Sequence, residues 1–338
     1  MHGGPQALAV VDTHRCNIMI EYTQELSMVG NARGPGRGAD DAGNRRRWPM
    51  TAAYPSTRGP KGVPSPALRR GGPRGWLQTA RRRWEAAARL AHAGRGGRQP
   101  SLGYPAAPAG EILYAIGDVH GRADCLARAQ TLIDRDAAGR TERATEIYLG
   151  DYIDRGPDSK STLDLMAARA HARQVVALRG NHETAMESFL AGRLPFAVWR
   201  GLGGAETLLS YGFEPGLIRG EGPRREAFAE RLPDVHRRFL AGLADYHRAG
   251  GYCFAHAGLR PGIALDRQRL ADLTGVRDEF LDCDDDFGFV VVHGHTPVER
   301  VDFRSNRINL DTGAYVSNRL SVLRIDDAGA TLVAPEAS

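Results

Sequence analysis

One pattern recurs three times in the middle of the chain and limits the folds that it can form. Each time, a short apolar run ends in a glycine followed by a polar residue: EILYAIGD at 111–118, ATEIYLGD at 144–151 and QVVALRGN at 174–181. Successive polar residues lie 33 and 30 positions apart, close to the length of a β-α-β unit, and amphipathic sequences separate the runs. We therefore predict an α/β fold in which three neighbouring parallel strands bring Asp118, Asp151 and Asn181 to one edge of a sheet.

The second half of the chain repeats the pattern with histidine in place of the acid. GYCFAHAGL at 251–259 and FGFVVVHGHTP at 287–297 are apolar runs that break beside a His and a Gly. Residues 307–326 are predicted to form strands joined by a tight turn, in antiparallel arrangement. Residues 197–248, which lie between the first three motifs and the histidine motifs, are predicted to be mostly helical. REAFAERL and DVHRRFLAGLADYHRAG are the clearest helices of this region.

The composition divides the chain into two parts. Residues 1–110 contain 17 Lys or Arg against 6 Asp or Glu, and 28 of these positions are Gly or Pro. Such a segment buries too little apolar surface to offset its ordering entropy, so residues 1–108 are predicted to be a disordered basic extension and residues 109–330 the folded domain. One stretch, Trp76 to Gly94, has partial helical spacing and a basic face. This pattern is compatible with a helix that contacts nucleic acid or with a solvated helix, and we favour the solvated helix.

Cysteine content and hydropathy exclude several classes of protein. The four cysteines form no CxxC pair and no dense framework, which is typical of reduced thiols in a cytoplasm. No apolar run approaches the roughly 20 residues of a membrane span, and the first 30 residues lack the pattern of a signal peptide. We expect a soluble cytoplasmic protein without membrane contact.

Five short motifs supply side chains that bind metals. They are GDVHG, GDYIDRG, GNHE, HAG and GHT, and the candidate ligands in them are Asp118, His120, Asp151, Asn181, His256 and His295. Taken alone, a Gly-Asp is usually a turn and a buried His is usually a core residue, but five such motifs in order after strands favour one metal site. Oxygen and nitrogen ligands without thiolate suit Mn, Fe or Zn better than Ca or Mg.

The ligands suggest a site for two metal ions. The two oxygens of Asp151 can contact both ions, Asp118 and His120 at i and i+2 of a strand end can share the first, and Asn181, His256 and His295 can complete the second. Two cations about 3.5–4 Å apart lower the pKa of a bridging water and neutralise a phosphate. His293 is an alternative to His295, but His295 follows Gly294 into the loop, as in the other motifs, and we favour it.

The motifs resemble the signature blocks of the phosphoprotein phosphatase family of metallophosphoesterases, and most of all the short bacterial and phage serine/threonine phosphatases. The resemblance covers residues 111–326 and rests on GDVHGR, GDYIDRGPDS, LRGNHE, FAHAGLRPG and VVHGHTP. It implies a β-sandwich of mixed sheets flanked by helices, with the metals at the carboxyl ends of the strands. It also implies attack by a metal-bridged hydroxide without a phosphoenzyme, with Mn in vitro and Fe or Zn as the other candidates for the two ions.

The same resemblance implies roles for single residues. Asp118, His120 and Asp151 would bind one metal, and Asp151, Asn181, His256 and His295 the other. His182 would be the general acid and Asp154 its partner. Arg155 would bind the substrate phosphate. Arg277 is the candidate for the family's second phosphate-binding arginine, although the Trp that often precedes that arginine is missing here.

Elementary chemistry agrees with these roles. A serine alkoxide is a poor leaving group, so a positioned acid should accelerate its departure by about 10²–10⁴. A carboxylate bonded to the other ring nitrogen would raise the pKa of His182 and orient the ring. Arg155 presents a planar fork to phosphate oxygens, the alternative being a surface ion pair.

We therefore predict a hydrolase that removes phosphate from phosphoserine and phosphothreonine in proteins or peptides. The nearest alternative is a hydrolase of the same fold that acts on dinucleoside polyphosphates such as diadenosine tetraphosphate, but GNHE and GDYIDRG fit the protein phosphatases better. A further alternative is a binding or scaffold protein, or one tethered to nucleic acid by its basic segment. The complete ligand set argues against a non-catalytic scaffold.

Overall fold

The structure, a computed structural model, describes residues 103–213 and 220–333. Of the predicted disordered extension, residues 1–108, the part up to residue 102, with its helical stretch from Trp76 to Gly94, lies outside these ranges. Residues 103–108 already bond to the sheets, since the amide of Ala107 donates to the carbonyl of Asp326 at 2.8 Å. Cys125, Cys253 and Cys283 are free thiols. Within the described ranges, no helix has both the length and the apolar character needed to cross a membrane.

The first sheet contains the repeated pattern. Its strands, in spatial order, are β10 (Gly329–Leu332), β9 (Val322–Asp326), β1 (Glu111–Ile116), β2 (Arg143–Tyr148) and β3 (Val175–Ala177). The strands β1, β2 and β3 are parallel neighbours, with Ala115 beside Ile147 and Ile147 beside Val176. The strands β9 and β10 are antiparallel. The three parallel strands that the spacing predicts are therefore present.

The second sheet is mixed as well. Its strands, in spatial order, are β4 (Tyr246–Ala249), β5 (Tyr252–Ala255), β6 (Val290–His293), β8 (Arg307–Asn309) and β7 (Asp302–Phe303). The central strands β5, β6 and β8 are parallel, and the edge strands β4 and β7 are antiparallel. The carboxyl ends of β5 and β6 lead directly into the two histidine motifs.

Helices connect and cover the sheets. They are α1 (Ala123–Asp136), α2 (Ser159–Ala172), α3 (Asn181–Leu190), α4 (Phe196–Leu202), α5 (Gly204–Ser210), α6 (Glu221–Arg231), α7 (Asp234–Ala241), α8 (Leu270–Gly275), α9 (Asp278–Leu281) and α10 (Ala314–Ser317), with a 3₁₀ turn at Leu265–Arg267. The helices α1 and α2 lie where the sequence between the apolar runs predicts helices. The side chain of Asp158 caps α2 by accepting from the amide of Ser161 at 2.9 Å.

One apolar core lies between the two sheets. Leu113 and Ile147 from the first sheet share this core with Phe254, Val292 and Ile308 from the second, and all five are buried. The strand β1 is buried on both faces from Ile112 onward, as expected for a sheet covered by helices on its other side. The predicted fold class, a sandwich of mixed sheets flanked by helices, is confirmed.

Two local predictions are wrong. Residues 307–326 do not form an antiparallel pair, because β8 belongs to the second sheet and β9 to the first, and the chain crosses between the sheets through α10. The predicted helix through 234–250 ends at Ala241, and Tyr246–Ala249 form an edge strand instead. In both cases tertiary pairing overrides a local pattern.

A buried ion-pair network ties α1, α2 and β2 together. The Nε of Arg169 on α2 lies 2.9 Å from a carboxylate oxygen of Glu146 on β2, and its two terminal nitrogens each lie 2.9 Å from Asp134 on α1. The Glu146 side chain is only 4% exposed. Removing the arginine would leave this carboxylate buried without its cation, which is far costlier than losing a surface pair.

We expect Arg169→Met to lower the free energy of unfolding by about 3 kcal/mol, because Glu146 is left uncompensated. Arg173→Met is the matched control, since Arg173 pairs with the same Asp134 from a solvent-exposed position and should cost under about 1 kcal/mol. Urea denaturation of both variants measures the difference. Equal losses would contradict the buried network.

Candidate metal centre

The site is built from turns held in a strained conformation. In the described part of the chain, six non-glycine residues have positive φ, and five of them lie here: His120, Asp151, Asp154, Arg155 and His295. Such backbone costs on the order of 1–3 kcal/mol per residue and persists only where the surroundings enforce it. Asp118 and His120 lie in the loop after β1 rather than at a strand end, and Asn181 and His182 begin helix α3.

Asp151 lies between two groups of histidines. Its Oδ2 is 3.5 Å from Nε2 of His120 and 3.7 Å from Nε2 of His182, and its Oδ1 is 3.4 Å from Nε2 of His256. Among the described residues, two groups could each hold a metal ion: His120, Asp151 and His182, and Asp151, His256 and His295. The first group contains His182, the predicted acid, and not Asp118, a predicted ligand. One carboxylate can thus serve both groups, as the two-metal prediction requires.

Backbone carbonyls set the orientation of two of the rings. The Nδ1 of His120 lies 3.0 Å from the carbonyl of Ile153, and the Nδ1 of His256 lies 2.9 Å from that of Leu149. With Nδ1–H donating to the carbonyl, each neutral ring presents the Nε2 lone pair to the site, the arrangement that metal-binding histidines favour.

Asn181 joins the second group through its side-chain oxygen. Its Oδ1 lies 3.1 Å from Nε2 of His256 and 2.9 Å from Nδ1 of His295. His293 faces elsewhere, with its ring 5.0 Å from that of Phe280 in an edge-on contact. The structure therefore brings His295, and not His293, to Asn181.

Asp118 is fixed by the loop on the other side of the site. Its Oδ2 accepts from the amide of His295 at 2.9 Å, and its Oδ1 is buried with no hydrogen-bond partner in residues 103–213 and 220–333. A Cβ on Gly294 would lie 1.9 Å from that Oδ1, so the motif needs glycine at this position to admit the carboxylate.

The residues present fit metal ions. Buried polar atoms normally have partners, yet Oδ1 of Asp118, Nε2 of His182 and Nε2 of His295 have none among the described residues. Two of these atoms belong to predicted ligands. Carboxylate oxygens and imidazole nitrogens are suitable ligands for a first-row transition metal ion or Zn.

Electrostatics point the same way. Burial raises the pKa of Asp118 well above its usual value, and the carboxyls of Asp311 and Asp151 raise it further. Burial also raises the pKa of Asp151 to about 7, although the Arg155 guanidinium opposes the rise. Burial lowers the pKa of His256 to about 4. Cations placed among these groups would favour ionised carboxylates and neutral imidazoles, the forms that bind metals.

The predicted acid and its partner are in contact. The Nδ1 of His182 lies 2.8 Å from Oδ2 of Asp154, and both side chains are fully buried. Burial raises the pKa of Asp154 to about 7, while hydrogen bonds from Thr207 and Trp199 counter the rise. Burial lowers the pKa of His182 well below its usual value, and the charges of Arg155, His256 and Arg277 lower it further. The predicted rise in the pKa of His182 is not found.

The two arginines differ in their surroundings. Nη1 of Arg155 lies 2.8 Å from Nε2 of His120, and its guanidinium lies 5.1 Å from the centre of the Tyr315 ring. Arg277 is exposed, with Nη1 3.4 Å from the hydroxyl of Thr296, immediately after His295. Arg155 is therefore part of the cluster, whereas Arg277 lies at its rim.

Several residues of the site were not among those predicted from the sequence. Glu183, the last residue of GNHE, accepts from the amides of Asp151 and Gly180 at 3.0 Å each and of Tyr152 at 2.8 Å. Its place in the motif is a signal for its role. Asp311 is a buried carboxylate whose Oδ2 has no hydrogen-bond partner among the described residues. It lies in the LDTGA segment, where the glycine follows the acid instead of preceding it as in the GD motifs. Trp199 and Thr207, which bind Asp154, carry no comparable signal.

Two mixed sheets flanked by helices, with candidate metal-ligating side chains in the loops at their edge, form the architecture of a metallophosphoesterase, an α/β hydrolase of phosphate esters. Residues 113–326 match the sequence model of the calcineurin-like phosphoesterase family, so the chain belongs to that family.

The names of individual relatives describe different activities. The chain is 27% identical over 236 residues to the asymmetrical bis(5'-nucleosyl)-tetraphosphatase PrpE of Bacillus velezensis, covering 63% of this chain and 88% of that protein. It is 31% identical over 173 residues to a zinc-dependent endopolyphosphatase of Saccharomyces cerevisiae, covering 48% of this chain and 51% of that protein. Among solved structures, a serine/threonine phosphatase from Saccharomyces cerevisiae aligns with 13% identity and a TM-score of 0.43, covering 79% of this chain and 91% of that one.

We expect Glu183→Gln to destabilise the protein by about 2 kcal/mol or more, because an amide NH₂ would face backbone amides that now donate to a carboxylate. This variant should also bind Mn²⁺ more weakly, because the turns at Asp151 and Gly180 lose the hydrogen bonds to Glu183 that hold them in place. Glu187→Gln is the control on the same helix, where the side chain pairs with Arg179 nearer the surface. Urea denaturation and titration calorimetry with Mn²⁺ test both. Unchanged metal affinity in Glu183→Gln would contradict this role.

Proposed function

We propose that the protein hydrolyses phosphomonoesters with poor leaving groups, and in particular phosphoserine and phosphothreonine in proteins or peptides. The observation that carries this proposal is the buried pair of His182 and Asp154 beside the candidate metal centre. An alkoxide needs a proton in order to leave, and a ring held by a carboxylate next to the phosphate can supply one.

The proposed metal ligands extend the two groups around Asp151: Asp118 and Asn181 are added, and His182 is assigned to the acid step instead of to a metal ion. Asp118, His120 and Asp151 would hold one ion, and Asp151, Asn181, His256 and His295 the other. When bound, such ions supply positive charge beside the phosphate and lower the pKa of water at the site. Asn181 contributes an oxygen without charge, so the second set carries a single carboxylate and keeps more of its positive charge for an anionic substrate.

The proton donor in this proposal is Nε2 of His182. That atom is buried and has no hydrogen-bond partner in the part of the chain that the structure describes, so it is available to a leaving-group oxygen. The charges of Arg155 and Arg277 are among the causes that keep the pKa of the ring low. A phosphate bound at these arginines brings the opposite charge, and it would therefore favour protonation of His182 when substrate is present.

Arg155 is the proposed anchor for the phosphate. Its guanidinium is half-buried beside Tyr315 and Nε2 of His120, so it reaches the same cluster as the ligands. Arg277 is proposed as a second, weaker contact because it is exposed at the rim of the cluster, where its Nη1 lies 3.4 Å from the hydroxyl of Thr296. A planar fork binds two phosphate oxygens at once, which a lysine does not.

A second candidate function is hydrolysis of dinucleoside polyphosphates. It is favoured by relatives named as asymmetrical bis(5'-nucleosyl)-tetraphosphatases, one of which the chain covers over 88% of its length. The two candidates differ in leaving group, because a nucleotide departs from an anhydride far more readily than an alkoxide from an ester. The two candidate functions can therefore be distinguished by how strongly the hydrolysis rate depends on the pair of His182 and Asp154.

We expect the protein reconstituted with Mn²⁺ to hydrolyse a phosphoserine peptide with higher kcat/KM than diadenosine tetraphosphate. Parallel assays with Mn, Fe and Zn, measuring released phosphate and nucleotides, test this directly. A preference for the dinucleotide of tenfold or more would replace the first candidate by the second.

We expect His182→Asn to lower turnover of the phosphoserine peptide by about 10²–10⁴, because the proton donor is removed. Hydrolysis of p-nitrophenyl phosphate should fall much less, since its leaving group needs little protonation. Metal content measured by mass spectrometry should stay at the wild-type value. His247→Asn, on edge strand β4, is the control for the substitution itself. Near-normal turnover of the phosphopeptide by His182→Asn would exclude this residue as the acid.

A further inference from the structure

The hairpin of α4 and α5 encloses the partner of the proposed acid. Oδ2 of Asp154 accepts from Nε1 of Trp199 on α4 at 3.0 Å, the same oxygen that meets His182. Oδ1 of Asp154 accepts from the hydroxyl of Thr207 on α5 at 2.6 Å. All these side chains are buried. Both oxygens of the carboxylate are thus held by side chains outside the metal-ligand motifs.

Thr207 also holds the backbone of Asp154. The amide of Asp154 lies 3.0 Å from the Thr207 hydroxyl oxygen and 3.0 Å from that of Ser159, and these two hydroxyls are 2.9 Å apart. Asp154 has a φ of 69°, a conformation that non-glycine residues seldom adopt. One threonine therefore bonds to both the strained backbone and the carboxylate of the same residue.

The same hairpin reaches the proposed phosphate anchor. The glycine between the two helices, Gly203, accepts from the amide of Arg155 at 3.4 Å. A Cβ at Gly203 would lie 2.5 Å from that amide nitrogen, and the glycine itself has a φ of 114°. Arg155 follows Asp154 and shares its left-handed conformation, with a φ of 66°. The hairpin therefore contacts two successive residues that have separate proposed roles.

We propose that Trp199 and Thr207 are positioning residues that orient Asp154, and through it His182, for protonation of the leaving group. The inference rests on the proposed function, because it assigns these residues to the acid step alone. Hydrogen bonds to both carboxylate oxygens prevent rotation of Asp154, so Nε2 of His182 keeps one direction.

The variants Trp199→Phe and Thr207→Val remove the bonds and keep most of the packing. Trp199 lies in an aromatic cluster, 4.9 Å from Phe189 and 5.6 Å from Phe228 between ring centres, which a phenylalanine continues to fill in part. Phe189→Leu is the control for disturbance of that cluster. Thr162→Val is the control for Thr207→Val, because Thr162 is buried and its hydroxyl bonds only within its own helix turn, to the carbonyl of Asp158.

The kinetic test compares two substrates in each variant, a phosphoserine peptide and p-nitrophenyl phosphate, with Mn²⁺. Each positioning variant should slow the phosphopeptide about tenfold or more and the aryl phosphate less, whereas the controls should change both rates little and equally. Combined with His182→Asn, neither variant should slow the phosphopeptide further. Equal slowing of both substrates, or effects that add fully to those of His182→Asn, would overturn the inference.

A spectroscopic test does not depend on turnover. In the metal-free protein labelled with ¹⁵N, the Trp199 indole N–H signal, assigned by its loss in Trp199→Phe, should shift on Asp154→Asn. The same signal should stay in place in Glu187→Gln. An unmoved signal in Asp154→Asn would contradict the bond. If His182→Asn leaves the phosphopeptide rate unchanged, His182 is not the acid and the proposed function fails. If His182→Asn slows the phosphopeptide strongly but Trp199→Phe and Thr207→Val do not, only the positioning role is refuted.

Discussion

The arrangement of the site depends on one buried carboxylate, that of Asp151. Its two oxygens face different histidines, so any shift of this side chain would disturb both groups at once. The fold restrains it from two directions. Strand β2 brings it to the sheet edge, and Glu183, on the helix that follows β3, binds its amide. The side chain of Glu183 thus links the parallel pairing of β2 with β3 to the position of the Asp151 carboxylate.

Burial makes this arrangement unfavourable without charge compensation. Carboxyls crowded away from water resist ionisation, and imidazoles in the same place resist protonation. Asp118 and Asp151 show the first effect, and His120, His256 and His295 show the second. Evolution toward stability alone would replace such groups by apolar ones. Their joint presence, together with strained turns, is most simply explained by a function that requires charged ligands at this edge.

The parallel core and most of the site could be predicted from sequence because both follow from local order along the chain. Apolar runs spaced by one β-α-β unit imply neighbouring parallel strands, and glycine after each run implies a turn at the sheet edge. Those two rules bring Asp118, Asp151 and Asn181 together without further information. The position of β9 did not follow, because its partner β1 lies about 200 positions earlier and no local pattern specifies a pairing at that distance.

The same limit explains why the partners of Asp154 were missed while His182 was found. His182 and Asp154 lie in recognisable motifs, but Trp199 and Thr207 lie in a helical region whose sequence only indicates burial. A tryptophan that fills a core and one that also donates to a carboxylate look identical in sequence. The difference arises when α4 and α5 pack against the turn after β2, since only then does the indole N–H meet a buried acceptor. Motifs therefore indicate candidate residues for the proposed chemistry, whereas tertiary packing decides how firmly those residues are held.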